Sequence, residues 1–460
     1  MMKSTVCWNL KRPMPEANRA RLKQWLESGE VRLQPLTFSQ RELWEASPVP
    51  AADVSNHICT FMEVRGVISP EDCIAAVQRV VDRQEVMRLS FLPGKEGPLQ
   101  MIRATGTPVV RFTELSDSQR HPEALEERMQ AIFEEPFDLL RGPLYRVDVL
   151  RRGADDLVLV FAIHHAIADG WTLGVWVEDL CSAYMLGLMG SPEPLSPVPL
   201  SYTAWAAAER EAWPATKLGE HARFWKSRLA GAPRPWSASR GGASHRLERK
   251  ATFIPDDVTG AVRNLARRAD ATLFTTLLAA FQIALSRWSG VTDIVVGTPV
   301  ANRTKHAVRE TMGYCSGIVP QRGQVEPNRS FEAGVREAHQ AAMDSFAHAM
   351  PFAELVRALD DPPKPGHNPI FDVRFALQNH PIPDIAVPGL SVQLRMRSTG
   401  TARFDLGCEI TEWGDGLEVV WLFRPNRFSR SDIDDLAGLF LMVLAGVCHA
   451  PESRLAALAI

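Results

Sequence analysis

The sequence predicts an α/β protein built from two sandwich-like halves, and three observations carry that expectation. The chain has 460 residues, beyond the size at which one hydrophobic core keeps growing, so two domains are expected. Short apolar runs that read as buried strands alternate with longer stretches of helical periodicity, on both sides of a proline-rich break. The hydrophobic fraction of 45% and charged fraction of 23% are those of a well-packed globular protein.

Residues 1–35 read as a leader, either a docking segment or a lead-in helix. Within it, Pro15 to Gly29 has helix-forming composition and a terminal glycine that stops a helix. Leu157 to Ile163 (LVLVFAI) is a continuous apolar run, the pattern of a strand buried on both faces. After the segment HHAIADG, Leu173, Trp176, Val177, Leu180, Tyr184 and Leu188 recur at helical spacing, so a buried strand passes through a turn into an amphipathic helix. From Gly190 to Pro199, prolines 192, 194, 197 and 199 stop regular structure, which divides the chain into halves at 36–190 and 191–460.

The second half opens with a helix through Trp225 and a polar loop from Ser237 to His245. A long helix follows, with Phe274, Leu277, Leu278, Phe281, Leu285 and Trp288 on one face and Gly290 as its stop. Asp293 to Gly297 (DIVVG) reads as a buried strand. Leu406–Glu412 and Leu417–Phe423 flank Gly414-Asp415-Gly416 as a hairpin. A last helix carries Leu436, Leu439, Phe440, Met442 and Val443.

A formal net charge of −3 supplies neither a basic footprint for nucleic acid nor a polybasic membrane patch. No apolar run reaches transmembrane length and none at the N-terminus reads as a signal peptide, so a cytoplasmic protein is expected. The seven cysteines (7, 59, 73, 181, 315, 408 and 448) contain no C-x-x-C pair, which fits reduced thiols rather than a zinc ribbon or a disulfide scaffold. Cys448 and His449 are sequence neighbours, which do not face each other on a helix.

Of twelve histidines only His164 and His165 are adjacent, and they lie where the buried strand gives way to the turn. Successive strand residues point to opposite faces, so one imidazole can enter a cleft while the other packs inside a half. Asp169 is placed to cap backbone N–H groups or meet a cation, and Gly170 allows close approach of a ligand. Imidazole, with a pKa near neutrality, suits proton relay from an incoming nucleophile. Buried histidines are more often core residues than catalysts, and the metal reading lacks further Cys or His to complete a tetrahedral set.

HHAIADGW resembles the HHxxxDG signature of the chloramphenicol acetyltransferase-like superfamily. Further segments are similar, in order, to motifs of the condensation domains of non-ribosomal peptide synthetases: LTFSQRELW (36–44), RQEVMRLSF (83–91), EEPFDLLRGPLYR (134–146), VVGTPVANR (295–303), MGYCSGIVPQR (312–322), MPFAELV (350–356), NPIFDVRFALQN (368–379) and ARFDL (402–406). The resemblance implies a pseudo-dimer of two chloramphenicol-acetyltransferase-like α/β sandwich halves, forming a V with a central tunnel. It places His165 at the catalytic position and Gly170 with its backbone N–H near the reacting carbonyl. His164, Asp169 and Arg303 fall at positions that support the site, Asp169 paired with Arg303. Trp171, Cys315, Ser316 and Gly317 fall where the tunnel is lined.

Three positions depart from the family pattern: Gly317, with Cys315 and Ser316 beside it, replaces the Asn of GxFVN; Gln84 replaces a His; and His367 stands where Arg is common. The D-x-x-x-x-D pattern of heterocyclisation domains and the DFGWG motif of plant acyltransferases do not occur, and WTLGVWVEDL resembles the peptide-forming rather than the epimerising group.

The implied activity joins an acyl or aminoacyl group from a carrier-protein phosphopantetheinyl thioester to an amine or hydroxyl, giving an amide or ester. No metal and no bound cofactor is expected. Adenylation, thioesterase and carrier motifs do not occur; GGASHRL around Ser244 lacks the acidic–aromatic context of a pantetheinylation site. The expectation is a free-standing, monomeric enzyme whose donor arrives on a separate acyl or peptidyl carrier protein, with a small-molecule or carrier-bound acceptor. A coenzyme A-dependent acyltransferase of the same superfamily and a non-catalytic recruitment module are the alternatives.

Overall fold

The computed structural model describes residues 16–47, 50–95, 97–235, 247–362, 368–378, 386–397 and 404–457. The loop 237–245, Ser244, His367 and Cys7 lie outside the described residues, as do the side chains of Cys448 and His449.

The apolar run at 157–163 forms the strand Asp156–His164, buried at every position from Leu157 onward. It is the middle strand of five, ordered Ser391–Arg397, His57–Arg65, Asp156–His164, Tyr145–Arg151, Val110–Glu114. A strand covered on both faces and both edges has no need of polar alternation, which is why its sequence is continuous Leu, Val, Phe and Ile. The helix Gly170–Leu188 covers this sheet, and Trp176 stacks on Phe161 with ring centroids 4.0 Å apart. Leu188, read as part of the buried stripe, is 51% exposed because it sits in the last turn beyond the sheet.

A six-stranded sheet runs in the order Gly317–Gln324, Asp293–Val300, Val373–Gln378, Leu406–Trp413, Gly416–Phe423, Glu248–Ile254. Gly414, at φ 60°, turns the hairpin. The helix Leu273–Ser289 ends at Gly290, in the left-handed region at φ 73°, but it is buried at every position from Thr275 to Ser286 rather than on one face. The helices Asp256–Arg268, Phe331–Ala347 and Arg430–His449 all pack on it, so its small residues Ala279, Ala280 and Ala284 are core contacts too. A third sheet, Val31–Pro35, Leu99–Arg103 and Leu89–Leu92, takes in the end of the expected leader, whose helix spans Glu16–Glu27.

Chain order and packing cross at the expected boundary. Ser391–Arg397, far beyond residue 190, pairs antiparallel with His57–Arg65 in the five-stranded sheet. Tyr202, Trp205 and Ala206 from the helix Tyr202–Glu211, together with Met312, Tyr314 and Cys315, belong to the hydrophobic core of the first half.

Gln84 ties the segment around residue 312 to the first half. Its Nε2 donates to Asp179 Oδ2 at 2.8 Å and to the Glu310 carbonyl at 2.9 Å, while Oε1 accepts from Met312 N–H at 3.0 Å. An amide supplies donor and acceptor from one side chain, so the departure from histidine here keeps a cross-link. Gln84→Leu is expected to lower stability by about 1–3 kcal/mol, since it orphans a buried N–H; an unchanged urea midpoint would contradict that role.

Candidate active site

The strand Asp156–His164 stops at the first histidine, and His165–Ile167 form a single turn of 3-10 helix before Ala168. His164 is fully buried; its Nε2 donates to the Ala51 carbonyl at 2.9 Å and its Nδ1 accepts from Ala166 N–H at 3.0 Å. Both ring nitrogens are therefore committed, in the neutral tautomer, to shaping the turn. Burial, with His57 and His165 nearby, holds its pKa well below the ordinary imidazole value.

His57 faces His164 across the strand pair and donates through Nδ1 to the Phe133 carbonyl at 2.7 Å. Phe137 stands edge-on to both rings and under the Arg146 guanidinium, whose carbon lies 3.8 Å from its ring centroid. This is the structural content of the segment 134–146: it walls the end of the strand with an aromatic ring held by a cation.

Burial lowers the pKa of His57 to about 4 from 6.5, outweighing its bond to Phe133. Between those values the unfolded chain binds a proton that the folded one refuses. Stability is therefore complete above pH 6.5 and falls as pH drops toward 4, on the order of 3 kcal/mol from this group. Urea unfolding of the protein and of His57→Phe at pH 7 and pH 5 checks this: the substituted chain is expected to lose less, and equal losses would contradict it.

His165 is half-buried, and its ring packs against Tyr314 with centroids 4.3 Å apart. The neighbouring backbone is pinned by Gln40, whose Nε2 donates to the Ala166 carbonyl at 2.9 Å and to Gln100 Oε1 at 3.1 Å. Gln40 caps its own short helix with Thr37, so the opening motif 36–44 acts as a clamp on the histidine turn.

Asp169 caps the helix Gly170–Leu188 and gathers the second half around it. Oδ1 accepts from Thr172 N–H at 3.0 Å, Oδ2 accepts from the N–H groups of Cys315 and Ser316 at 3.0 and 3.1 Å, and Arg303 Nη2 reaches both oxygens at 3.1 and 3.3 Å. Burial opposes ionisation of this carboxyl, but Arg303 and the N–H donors outweigh it and hold the pKa below 3.8. Its contribution to stability is therefore complete at neutral pH and lost only in strong acid. Arg303 also donates to the carbonyls of Val308, Thr311 and Gly313, at 2.8, 2.6 and 3.1 Å, so both of its terminal nitrogens are bonded, while its buried Nε has no partner among the described residues.

Thr172 completes the junction: its hydroxyl accepts from Gly313 N–H at 3.1 Å and lies 3.0 Å from Asp169 Oδ1 and 3.1 Å from the Gly313 carbonyl. Position 313 must be glycine for this approach, because a Cβ there would sit 2.2 Å from the Tyr202 ring. Thr172, Tyr314 and Gln40 carry no mark in the sequence that singles them out as site residues. The Asp169-x-x-Thr172 spacing is a capping-box signal that could have flagged the first.

The expected site residues thus fall into groups. His164, Asp169, Gly170, Arg303 and the backbone of Cys315 and Ser316 come together around the turn. Cys315 is fully buried in the core of the first half, and burial pushes its thiol pKa far up, so it offers a backbone N–H rather than a lining side chain. Trp171 is half-buried and donates through Nε1 to the Arg309 carbonyl at 2.9 Å. Gly317 alone of the four lines a cavity of about 230 Å³ between segments of the two halves, bordered also by Phe38, Trp205, Glu209 and Phe352.

Residues 31–460 match the family described as Condensation domain. The chain is 30% identical over 445 residues to phosphinothricin tripeptide synthetase PhsC of Streptomyces viridochromogenes, covering 92% of this chain and 40% of that protein. It is 27% identical over 429 residues to malpinin synthetase of Mortierella alpina, covering 92% of this chain and 6% of that protein. It therefore spans well under two thirds of the length of these relatives. Among solved structures, the X-domain from teicoplanin biosynthesis superposes with a TM-score of 0.82 at 22% identity, covering 93% of this chain and 97% of that one. The SgcC5 protein from Streptomyces globisporus superposes at 0.74 and 23% identity, covering 92% of this chain and 100% of that one. These likenesses show the fold, a mixed α/β pseudo-dimer of two chloramphenicol-acetyltransferase-like halves. A strand, a two-histidine turn and an aspartate-capped helix locked to an arginine of the other half are thus set in a chain that belongs to the condensation-domain family.

Proposed function

We propose that the chain joins an acyl or aminoacyl group, held as a phosphopantetheinyl thioester on a separate carrier protein, to an amine or hydroxyl acceptor. The observation that carries this reading is the division of labour between the paired histidines. His164 has both nitrogens bound inside the fold, whereas the His165 ring emerges half-buried beside Tyr314 at the junction of the halves.

In this mechanism the acceptor nitrogen or oxygen attacks the thioester carbonyl while His165 takes its proton. The first N–H of the helix at Gly170, with the helix dipole behind it, favours the negative charge that develops on the carbonyl oxygen. Collapse expels the phosphopantetheine thiolate, which recovers the proton from the imidazolium, so atoms and charge balance. The thioester is already activated, and alignment of two bound reactants supplies up to ~7–11 kcal/mol of the barrier reduction. Asp169 and Arg303 fix the turn; a buried ion pair is better suited to geometry than to net stabilisation. Donor and acceptor would reach His165 through a tunnel between the halves. Cys59, Cys73, Cys181, Cys315 and Cys408 are thiols rather than disulfides, which fits work in the cytoplasm.

A second reading is a recruitment module. It is favoured by the structural neighbour solved as a complex of the X-domain with OxyB, which superposes at a TM-score of 0.82 and 21% identity. Incubating the chain with an acyl-loaded carrier and candidate amines or alcohols separates the two: product is expected under the first reading, and tight binding of a tailoring enzyme without product under the second.

A further inference from the structure

The cavity between the halves has a chemical character that proton transfer at His165 leaves unused. Its volume of about 230 Å³ gives room for a substrate side chain. Phe38, Trp205, Trp213, Met350 and Phe352 give it apolar and aromatic walls. Into this setting the helix Tyr202–Glu211 brings Glu209. Glu209 Oε2 is shielded from solvent and has no hydrogen-bond donor among the described residues. Burial pushes the Glu209 carboxyl up to about 7, although the Phe38 N–H and the Arg210 cation favour its ionised form. Glu42 also borders the cavity, Lys305 stands exposed at its edge, and the Tyr202 phenol lies within electrostatic reach of Glu209.

We infer that this cavity is a subsite for a substrate side chain ending in a primary amine, with Glu209 accepting the ammonium hydrogen bonds and the aromatic walls packing the apolar stem. A carboxylate among aromatic rings is costly when unpaired, and a cation on an apolar stem satisfies the acid and the ring faces together. The cavity adjoins the segments that hold the histidine turn: Ser39, in its wall, donates to the Cys315 carbonyl at 3.4 Å, and the next residue, Gln40, holds Ala166. That the bound molecule is the donor or acceptor of a condensation rests on the function proposed above; the amine site itself does not.

Isothermal titration calorimetry of the whole chain with 2-phenylethylamine and its uncharged analogue 2-phenylethanol tests the site without any acyl donor. The amine stays protonated between pH 6 and pH 8 while Glu209 ionises, so its affinity is expected to rise about tenfold across that range, with proton release. The alcohol is expected to show no such rise. Glu209→Gln removes the pH dependence and weakens the amine at least tenfold. Ala208→Trp, which fills the cavity from the same helix, abolishes binding of both. Amine affinity independent of pH, undetectable at pH 8, or surviving both substitutions overturns the inference. The pH series on the unsubstituted protein decides even if a variant fails to fold. Because no transfer is measured, failure here leaves the role of His165 standing.

Discussion

Replacing His165 by alanine lowers the single-turnover rate of acyl transfer about 10²–10⁴-fold while the protein stays folded. The size follows from what is removed. A positioned base is worth that factor, whereas the alignment of donor and acceptor survives because the turn is held by other groups: His164 through Ala51 and Ala166, Gln40 through Ala166, and Asp169 through five donor groups. The ring is half-buried and its packing partner is Tyr314, so the stability cost stays within about 1–2 kcal/mol. A hydroxyl acceptor suffers more than an amine, since an uncharged alcohol is the poorer nucleophile and depends more on proton removal. Rates measured with matched amine and alcohol acceptors, beside a urea unfolding curve of the same variant, separate chemistry from folding. Near-normal turnover would remove His165 from the mechanism.

The largest loss of stability is expected from Asp169→Ala. This substitution leaves the buried Arg303 guanidinium with no carboxylate, and frees the buried N–H of Cys315 and the part-buried N–H of Ser316. Breaking a buried pair by removing one partner costs about 3–5 kcal/mol, more than the pair contributes, because the remaining charge cannot reach water. The double variant Asp169→Ala/Arg303→Met removes that charge and is expected to recover part of the loss, though neither its helix cap nor the anchored 313–316 backbone. A double variant no more stable than Asp169→Ala would show that the guanidinium is satisfied by its carbonyl partners alone.

The strand and helix that carry the site were legible because burial on both faces writes an unbroken apolar run, and a covered helix face writes a period of 3.6. Asp156–His164 and Gly170–Leu188 announce themselves in that way. The helix Leu273–Ser289 was harder: its alanines and threonines are polar or small by type, yet they pack against three helices, so the single-face pattern understated its burial. The division at residue 190 follows the prolines, but no local signal in Ser391–Arg397 says that it will pair with a strand from residues 57–65. Long-range partners of this kind are chosen by topology rather than by propensity.

Within the site, the residues with distinctive chemistry stood out, and those with ordinary polar groups did not. Gln40 acts through an amide placed by tertiary packing, and glutamine in a polar stretch carries no mark of that duty; Thr172 shows only its spacing from Asp169, and Gln84 only its departure from the family pattern, neither of which names the partners it bonds. Cys315 drew notice as a departure near the expected tunnel, but its thiol is turned into the core and only its backbone meets Asp169. Glu209 is inconspicuous in a run of alanines and charged residues. Only the cavity beside it gives its carboxyl meaning.

Acyl transfer from a carrier is tested most directly by the intact mass of a carrier protein bearing an acyl-phosphopantetheine, followed through one turnover beside the same acyl group on coenzyme A at equal concentration. The prediction is that the carrier loses the acyl mass and an amide or ester product appears only with the chain and an acceptor present, and faster than from coenzyme A. A carrier that keeps its acyl group while the coenzyme A thioester is consumed, or while neither reacts with any acceptor, would contradict it.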